Sequence, residues 1–331
     1  MPTDQAQEFL FQRIKELMPP DASIVDAVSQ ILHVSSDSAY RRIRGETPMV
    51  LDEVRQLCQH YNVSIDQLLK VKSNSVLFQD IRIKTNLYTY QQFLQGLLSQ
   101  LVMINGFIRK EIIYMSKDIP VFHNFYCRPL SAFRYYFWNK TLLQNPEFAD
   151  TQFDFSLLPP DIEKLSLDVS IAYQKIPSIE IWNTESINST ISQIEFSKDS
   201  GHFASTADIK KVYEALEETI YHLKEQAEYG SKFMPGENPE SKRNNFKLFY
   251  NRVVLGDNTI LASADFGKTC FLNYGQLNYL MTTDETFCNQ LYKDFESLIK
   301  RSTMISQSSE KQRNIFFGII LSKISDRMKH L

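Results

Sequence analysis

Three arginines fall within four positions of the segment VSSDSAYRRIRG, residues 34–45: Arg41, Arg42 and Arg44. A guanidinium presents a planar fork of N–H donors. Its best partners are groups with two acceptors side by side: a guanine edge, a phosphate or a carboxylate. The segment could therefore grip a nucleic acid, or it could be an ordinary solvated helix face. Asp37 is its only acid between Ser35 and Gly45, so positive charge is locally concentrated.

The residues around the segment predict the elements that position it. Ile24, Val28, Ile31 and Leu32 repeat at helical spacing and form one apolar face. Val34 stands where a short turn would place an apolar side chain in a core. Ser35 or Ser36 can cap a following helix, about 37–44, by accepting its free N–H groups. In that helix Ala39 and Ile43 face inward together, while Tyr40, Arg41 and Arg44 point elsewhere. Gly45 ends it where a left-handed residue is cheapest, and Pro48 follows. A third helix over 51–61 buries Val54, Leu57, Cys58 and Tyr61, and Ser64 caps a last short helix holding Ile65, Leu68 and Leu69.

This order of helix, tight turn, helix, Gly, Pro-containing loop, helix and NVSIDQLL resembles the Cro/C1 (lambda-repressor-like) helix-turn-helix domain over roughly residues 5–70. Its marks are Val34-Ser35, Gly45 and Asn62-Val63-Ser64-Ile65-Asp66, and AYRRIRGE resembles regulators with an arginine-rich recognition helix. His33 departs from the pattern, standing where Gly is usual. The resemblance implies a recognition helix in the major groove, with Ser36, Asp37, Tyr40 and Arg41 reading bases. Arg42 and Arg44 would hold phosphates, and Ser23 would hold one through its hydroxyl and the helix N-terminus. It also implies double-stranded DNA as partner and a homodimer spanning two half-sites. Against it, residues 1–72 hold eight Lys or Arg and ten Asp or Glu, not the basic excess expected of a nucleic-acid binder.

The whole chain, 331 residues with 43% hydrophobic and 12% aromatic content, is long enough for two or three domains. Its formal charge of −3 gives no global pull toward nucleic acid or membrane. Cys58, Cys127, Cys270 and Cys288 lie far apart without a C-x-x-C pair, which reads as free thiols in a reducing cytoplasm. The start, MPTDQAQEF, is acidic and polar and does not read as a secretory signal. The most apolar run, 93–115, is interrupted by Gln95, Gln100, Asn105, Arg109, Lys110 and Glu111, and is expected to be a buried helix.

The fold class predicted is mainly α: an N-terminal helix-turn-helix bundle (1–72), a helical body for dimerisation or sensing (73–235) and a C-terminal α+β unit with a small antiparallel sheet (236–331). Residues 78–84 suit a short strand or connector, and 88–116 a helix. Residues 120–143 carry eight Phe, Tyr or Trp, which predicts a core helix or subunit interface, with a ligand cage as the sharper alternative. Further helices are expected at about 162–173, 185–197, 208–229, 284–299 and 310–329, and strands at 246–255, 259–264 and 269–273. As a whole the chain resembles bacterial regulators pairing a Cro/C1-like head with a helical body and a small C-terminal sheet domain.

No phosphate loop, dinucleotide fingerprint or nucleophile elbow occurs. His222 near Glu218 and Glu225 could make a metal half-site but reads as an ion pair, and His123 with Cys127 at i,i+4 spacing lacks a third partner. No catalytic residue, metal or cofactor is expected. The leading function is a cytoplasmic DNA-binding transcriptional regulator, with an unknown small-molecule or protein effector as a further partner and no membrane partner. The alternatives are a protein-interaction adaptor that kept the fold without DNA binding, and an enzyme with a diffuse C-terminal site.

Overall fold

The computed structural model describes all residues except 1–2, 20–21, 62, 64, 66–74, 82–88, 240–243, 254, 266 and 275–277. The chain is mainly α, with its strands concentrated toward the C-terminus, and it divides into two compact units, Met1–Leu77 and Phe78–Leu331.

The first unit contains α1 (Thr3–Leu17), α2 (Ile24–Leu32), α3 (Ser36–Ile43) and α4 (Leu51–His60). Leu10, Phe11 and Ile14 of α1 meet Val28, Ala39, Leu57 and Cys58 in one core, with Val34, Ile43, Val54 and Tyr61 packed at its margin. Ala39 is fully buried, so α3 approaches its neighbours closely, as the small side chain permits. The last short helix expected from Ser64 onward lies, apart from Ile65, outside the described residues.

In the second unit, β1 (Gln79–Ile81) precedes α5 (Tyr90–Asn105). Thr89 and Gln92 cap α5 reciprocally: each side chain accepts the other's backbone N–H. The helix expected to run to 116 ends here, because 110–116 is a strand, β2 (Lys110–Ser116). Ile108 and Ile112 fit the helical spacing but misled. Ile112 and Tyr114 enter the main core, whereas Ile113 enters a separate cluster with Leu261, Cys270, Cys288 and Phe295. Neighbours sent to opposite sides are the geometry of a strand.

Next come α6 (Arg128–Phe137), running into a π-helical turn (Trp138–Leu142), then α7 (Pro160–Gln174) and β3 (Ser178–Trp182). α8 (Asn188–Asp199), α9 (Thr206–Tyr229) and β4 (Phe246–Tyr250) follow. The chain closes with β5 (Thr259–Ala264), β6 (Gly267–Tyr274), β7 (Asn278–Thr282), α10 (Glu285–Lys300), β8 (Thr303–Met304) and α11 (Glu310–Met328). Among the described residues the strands form one sheet in the order β1-β7-β6-β5-β2-β3-β4-β8. β2, β3 and β4 are parallel, joined by helical crossovers as parallel neighbours require. The remaining pairings are antiparallel.

This topology corrects the expected division at 235/236. β2 and β3 come from the presumed helical body, yet they pair with β5 and β4 of the presumed C-terminal unit. The second and third expected domains are therefore one folding unit. No helix among the described residues is long and apolar enough to cross a membrane.

The sheet's main face carries a buried carboxylate, Glu180 of β3. Its Oε1 accepts from His123 Nε2 at 2.9 Å and from the Tyr173 hydroxyl at 2.6 Å, and its Oε2 accepts from Trp182 Nε1 at 2.9 Å. Burial pushes this carboxyl up, but the facing His123 and the Tyr173 hydroxyl outweigh it and hold the group below the usual glutamate range. Lys232 is buried nearby. It donates to Tyr173 O, Ile176 O and Ser178 Oγ and lies 3.9 Å from the Tyr173 ring centre. Burial draws its ammonium down to about 7, against an upward pull from Glu180. His123 is thus committed to Glu180 and not to Cys127, whose thiol lies 3.7 Å from Ala215 O. His222 faces Phe233 O at 2.8 Å and Glu225 at 3.6 Å.

The aromatic block is core. Phe133, Tyr136, Phe137 and Trp138 are all buried. Phe133 stacks on Phe203 and meets Phe153 edge-on, with ring centres 5.8 and 5.9 Å apart. Phe133→Ala is therefore expected to destabilise the second unit by about 3–5 kcal/mol in urea unfolding. A loss below about 1 kcal/mol would contradict this packing account.

Candidate nucleic-acid interface

α3 is held by three devices. Ser35 is its N-cap and accepts from Ser38 N at 3.3 Å. At its end, Gly45 adopts φ +77°, and Gly45 N and Glu46 N donate back to Arg42 O and Arg41 O at 3.0 and 2.9 Å. These are the paired bonds of a Schellman stop, and they need the left-handed residue that glycine supplies without strain. The turn before α3 is tighter than its sequence favours. His33 takes φ 53°, a region costing a side-chain-bearing residue about 1–2 kcal/mol. Two bonds hold it there: Val34 N donates to Ser29 O at 3.1 Å, and the Ser29 hydroxyl donates to Val34 O at 2.7 Å.

With α3 fixed, Ser36, Asp37, Tyr40, Arg41 and Arg44 share an exposed helical face opposite Ala39 and Ile43. Arg41 Nε lies 3.2 Å from Asp37 Oδ2, and Arg44 Nε lies 3.3 Å from Glu46 Oε1. Arg44 also donates to the Tyr40 hydroxyl at 3.4 Å, its guanidinium 5.6 Å from that ring's centre. All four charged partners are at least half exposed. Such surface pairs are worth about 0–1 kcal/mol and exchange readily for an incoming anion. Ser23 is the N-cap of α2. Its oxygen accepts from Asp26 N at 3.3 Å, which leaves the exposed hydroxyl proton to donate.

Arg42 corrects the expectation. It does not join this face as a phosphate ligand. Its guanidinium turns toward α4, where Nε and Nη2 both reach Glu53, at 3.1–3.2 and 2.8 Å, while Nη1 donates to Ser38 O at 3.1 Å. Both side chains are less than one-fifth exposed. Glu53 also accepts from Val50 N at 3.2 Å, so one carboxylate ties α3 to the start of α4. Gln7 of α1 was not legible as a site residue either. It donates to Arg42 O and Thr47 O and accepts from Met49 N, pinning the loop between α3 and α4. The i, i+11 spacing of Arg42 and Glu53 is the one signal in the sequence, and it is unspecific without the fold.

Residues 5–82 match the family model of the BetR domain. The matched domain is of the helix-turn-helix, DNA-binding type, and agrees at this coarse level with DNA-binding regulation. No curated protein and no solved structure matches the chain.

The Arg42 hydrogen bond first, then those from Val50 and the charge of Arg42, hold the Glu53 carboxyl below its ordinary value against the upward push of burial. A carboxyl lowered on folding stabilises fully above its unfolded pKa, and the stabilisation is lost as pH falls through the folded value. Protection of α3 and α4 amides from hydrogen exchange should therefore weaken as the protein is acidified through the glutamate range. Glu53→Gln should lower that protection by about 1–3 kcal/mol at neutral pH and flatten its acid dependence. An unchanged pH profile in the variant would show that the pair does not hold α3.

Proposed function

We propose that this chain is a sequence-specific DNA-binding transcriptional regulator with a Cro/C1-like head. The observation that carries the reading is the single exposed face of α3 bearing Ser36, Asp37, Tyr40, Arg41 and Arg44, capped at both ends and clear of the head's core. In this reading the face enters the major groove. Arg41, with Ser36, Asp37 and Tyr40, reads base edges, while Arg44 and Ser23 hold phosphates. The head and its partner DNA need no metal or cofactor, and no enzymatic step belongs to the proposal.

The reading includes a homodimer, because one such head covers only a short half-site. The aromatic residues between Leu94 and Leu143 are largely used inside the core, which moves the expected two-fold contact to the C-terminal helices. Ile315 and Ile319, one turn apart on α11, are exposed there. A monomer in sedimentation at micromolar concentration, with full operator affinity, would remove the dimer from the proposal.

One observation favours a different class. The head has eight basic and ten acidic residues over 1–72, as a protein-interaction adaptor would. Electrophoretic shift with genomic fragments at low and moderate salt separates the two. Binding at low salt that narrows to particular fragments at moderate salt supports the regulator, and absence of any shift at low salt supports the adaptor.

Arg41→Ala is expected to weaken specific binding by about 1–3 kcal/mol while leaving random DNA nearly unaffected. Arg44→Ala should weaken both about equally and reduce the salt slope by about one, as a phosphate contact does. Equal behaviour of the two variants on target and random DNA would overturn these roles.

A further inference from the structure

A cavity of about 310 Å³ opens beside the aromatic block of the second unit. Its walls draw on every layer of that unit: Phe93 from α5, Tyr114 from β2, Arg134 and Phe137 from α6, Trp138 from the π-helical turn and Gln193 from α8. The volume lies within the range of small-molecule sites, about 300–1,000 Å³.

The wall carries buried polar groups that the chain leaves unsatisfied. Asn124 is fully buried, and neither its Nδ2 nor its Oδ1 has a hydrogen-bond partner among the described residues. Trp138 Nε1 likewise has no acceptor there. Arg134 is buried. One terminal nitrogen faces Gln193 Oε1 and the other donates to Thr190 Oγ1 at 2.6 Å, while its Nε has no partner. No carboxylate of the described residues makes an ion pair with it. Burial draws its guanidinium down to about 10, with Asp118 opposing.

An unpaired buried polar group costs about 1–3 kcal/mol, and a buried charge without a counter-ion costs more. An amide, an indole N–H and a guanidinium left wanting on one cavity wall call for a partner from outside the chain. Two of these groups are pure donors and one is a cation, so the partner is an acceptor-rich anion. The flat fork of an arginine matches a carboxylate. The rest of the wall is mixed: Phe93, Phe137 and Leu142 are apolar, whereas Asp118 and the ion pair of Lys117 and Asp257 are charged. A second cavity of about 170 Å³ shares Phe93, Tyr114, Val121 and Tyr279 with the first and is lined beyond them by Leu97, Leu101 and Ile260.

We infer that this cavity is the binding site of a small organic carboxylate with an apolar body, its carboxylate taken by Arg134, Asn124 and Trp138 and its apolar part by the aromatic wall. The inference goes beyond the DNA-binding reading and does not depend on it.

The test uses the full-length protein, titrated in a calorimeter with phenylacetate and octanoate, and with their neutral counterparts phenylacetamide and octanamide. At least one acid should saturate with a Kd below about 1 mM, and its amide should bind at least about tenfold more weakly. Phenylacetate as the tighter acid confines the ligand to the first cavity, and octanoate as the tighter one extends it into the second. Asn124→Leu removes an unpaired amide while keeping the same branched heavy-atom skeleton. It should raise the melting temperature of the unliganded protein and weaken the acid at least about tenfold, the trade expected where a residue serves binding at the expense of stability. Ser189→Phe, at a half-buried position of the wall, should abolish binding by filling the space while the protein still melts cooperatively. The inference fails if neither acid saturates by about 10 mM, if acid and amide bind alike, or if both variants bind like the parent.

Discussion

A carboxylate placed on the inner face of a sheet must be supplied with donors, or it will not remain charged. Glu180 imposes this constraint on the second unit. It sits at the centre of β3, the middle one of the three parallel strands, between β2 and β4. Its donors come from three places: the turn holding His123, the end of α7 with Tyr173, and β3 itself with Trp182. Lys232, arriving after α9, closes the arrangement by donating to the backbone carbonyls of 173 and 176 at the entry to β3. Elements far apart in sequence are thus fixed in register by a polar demand that apolar packing alone does not make. Phe122 of the aromatic block adjoins this centre, stacking on Tyr173 at 4.2 Å between ring centres.

The same economy operates on a smaller scale in the head. The five candidate DNA-facing residues of α3 are positioned by groups that never touch the exposed face. Ala39 sets the closeness of α3, Gly45 ends it, Arg42 and Glu53 bind it to α4, and Gln7 holds the loop behind it. The arginine that looked most like its neighbours is the one turned inward. Two adjacent arginines on a helix differ by about 100° in direction, so Arg41 faces out when Arg42 faces α4.

What could be read from sequence follows the range of the forces concerned. Helices whose caps and periodicity are local were legible almost to the residue. Examples are α9, with Ser205 before it and Gly230 after it, and α10, with Asp284 accepting from Phe287 N at 2.8 Å. The hairpin strands β5 and β6 were legible too, because each lies next to its partner in the chain. β2 and β3 were not. Their partners are remote: β2 was absorbed into the helical pattern before it through Ile112, and 178–182 was assigned no element. A parallel strand buried on both faces lacks the polar alternation that announces a strand. The exposed face of α3 was legible because it depends on one helix. The Arg42–Glu53 pair was not, because it depends on how two helices meet.

β1 is only three residues long and exposed at each of them, yet it covers an edge. Gln79, Asp80 and Ile81 pair with Met281, Leu280 and Tyr279 of β7, the strand that would otherwise end the sheet. The family match runs to residue 82, so it counts this strip with the head, whereas the compact unit that uses it begins at Phe78. A recombinant body trimmed at the family boundary would therefore lose its own selvedge. It would present the backbone of 278–282, with Tyr279, Leu280 and Met281, as a bare margin for another chain to add to. Where a sequence family ends and where a fold can safely be cut are separated in this protein by a single short strand.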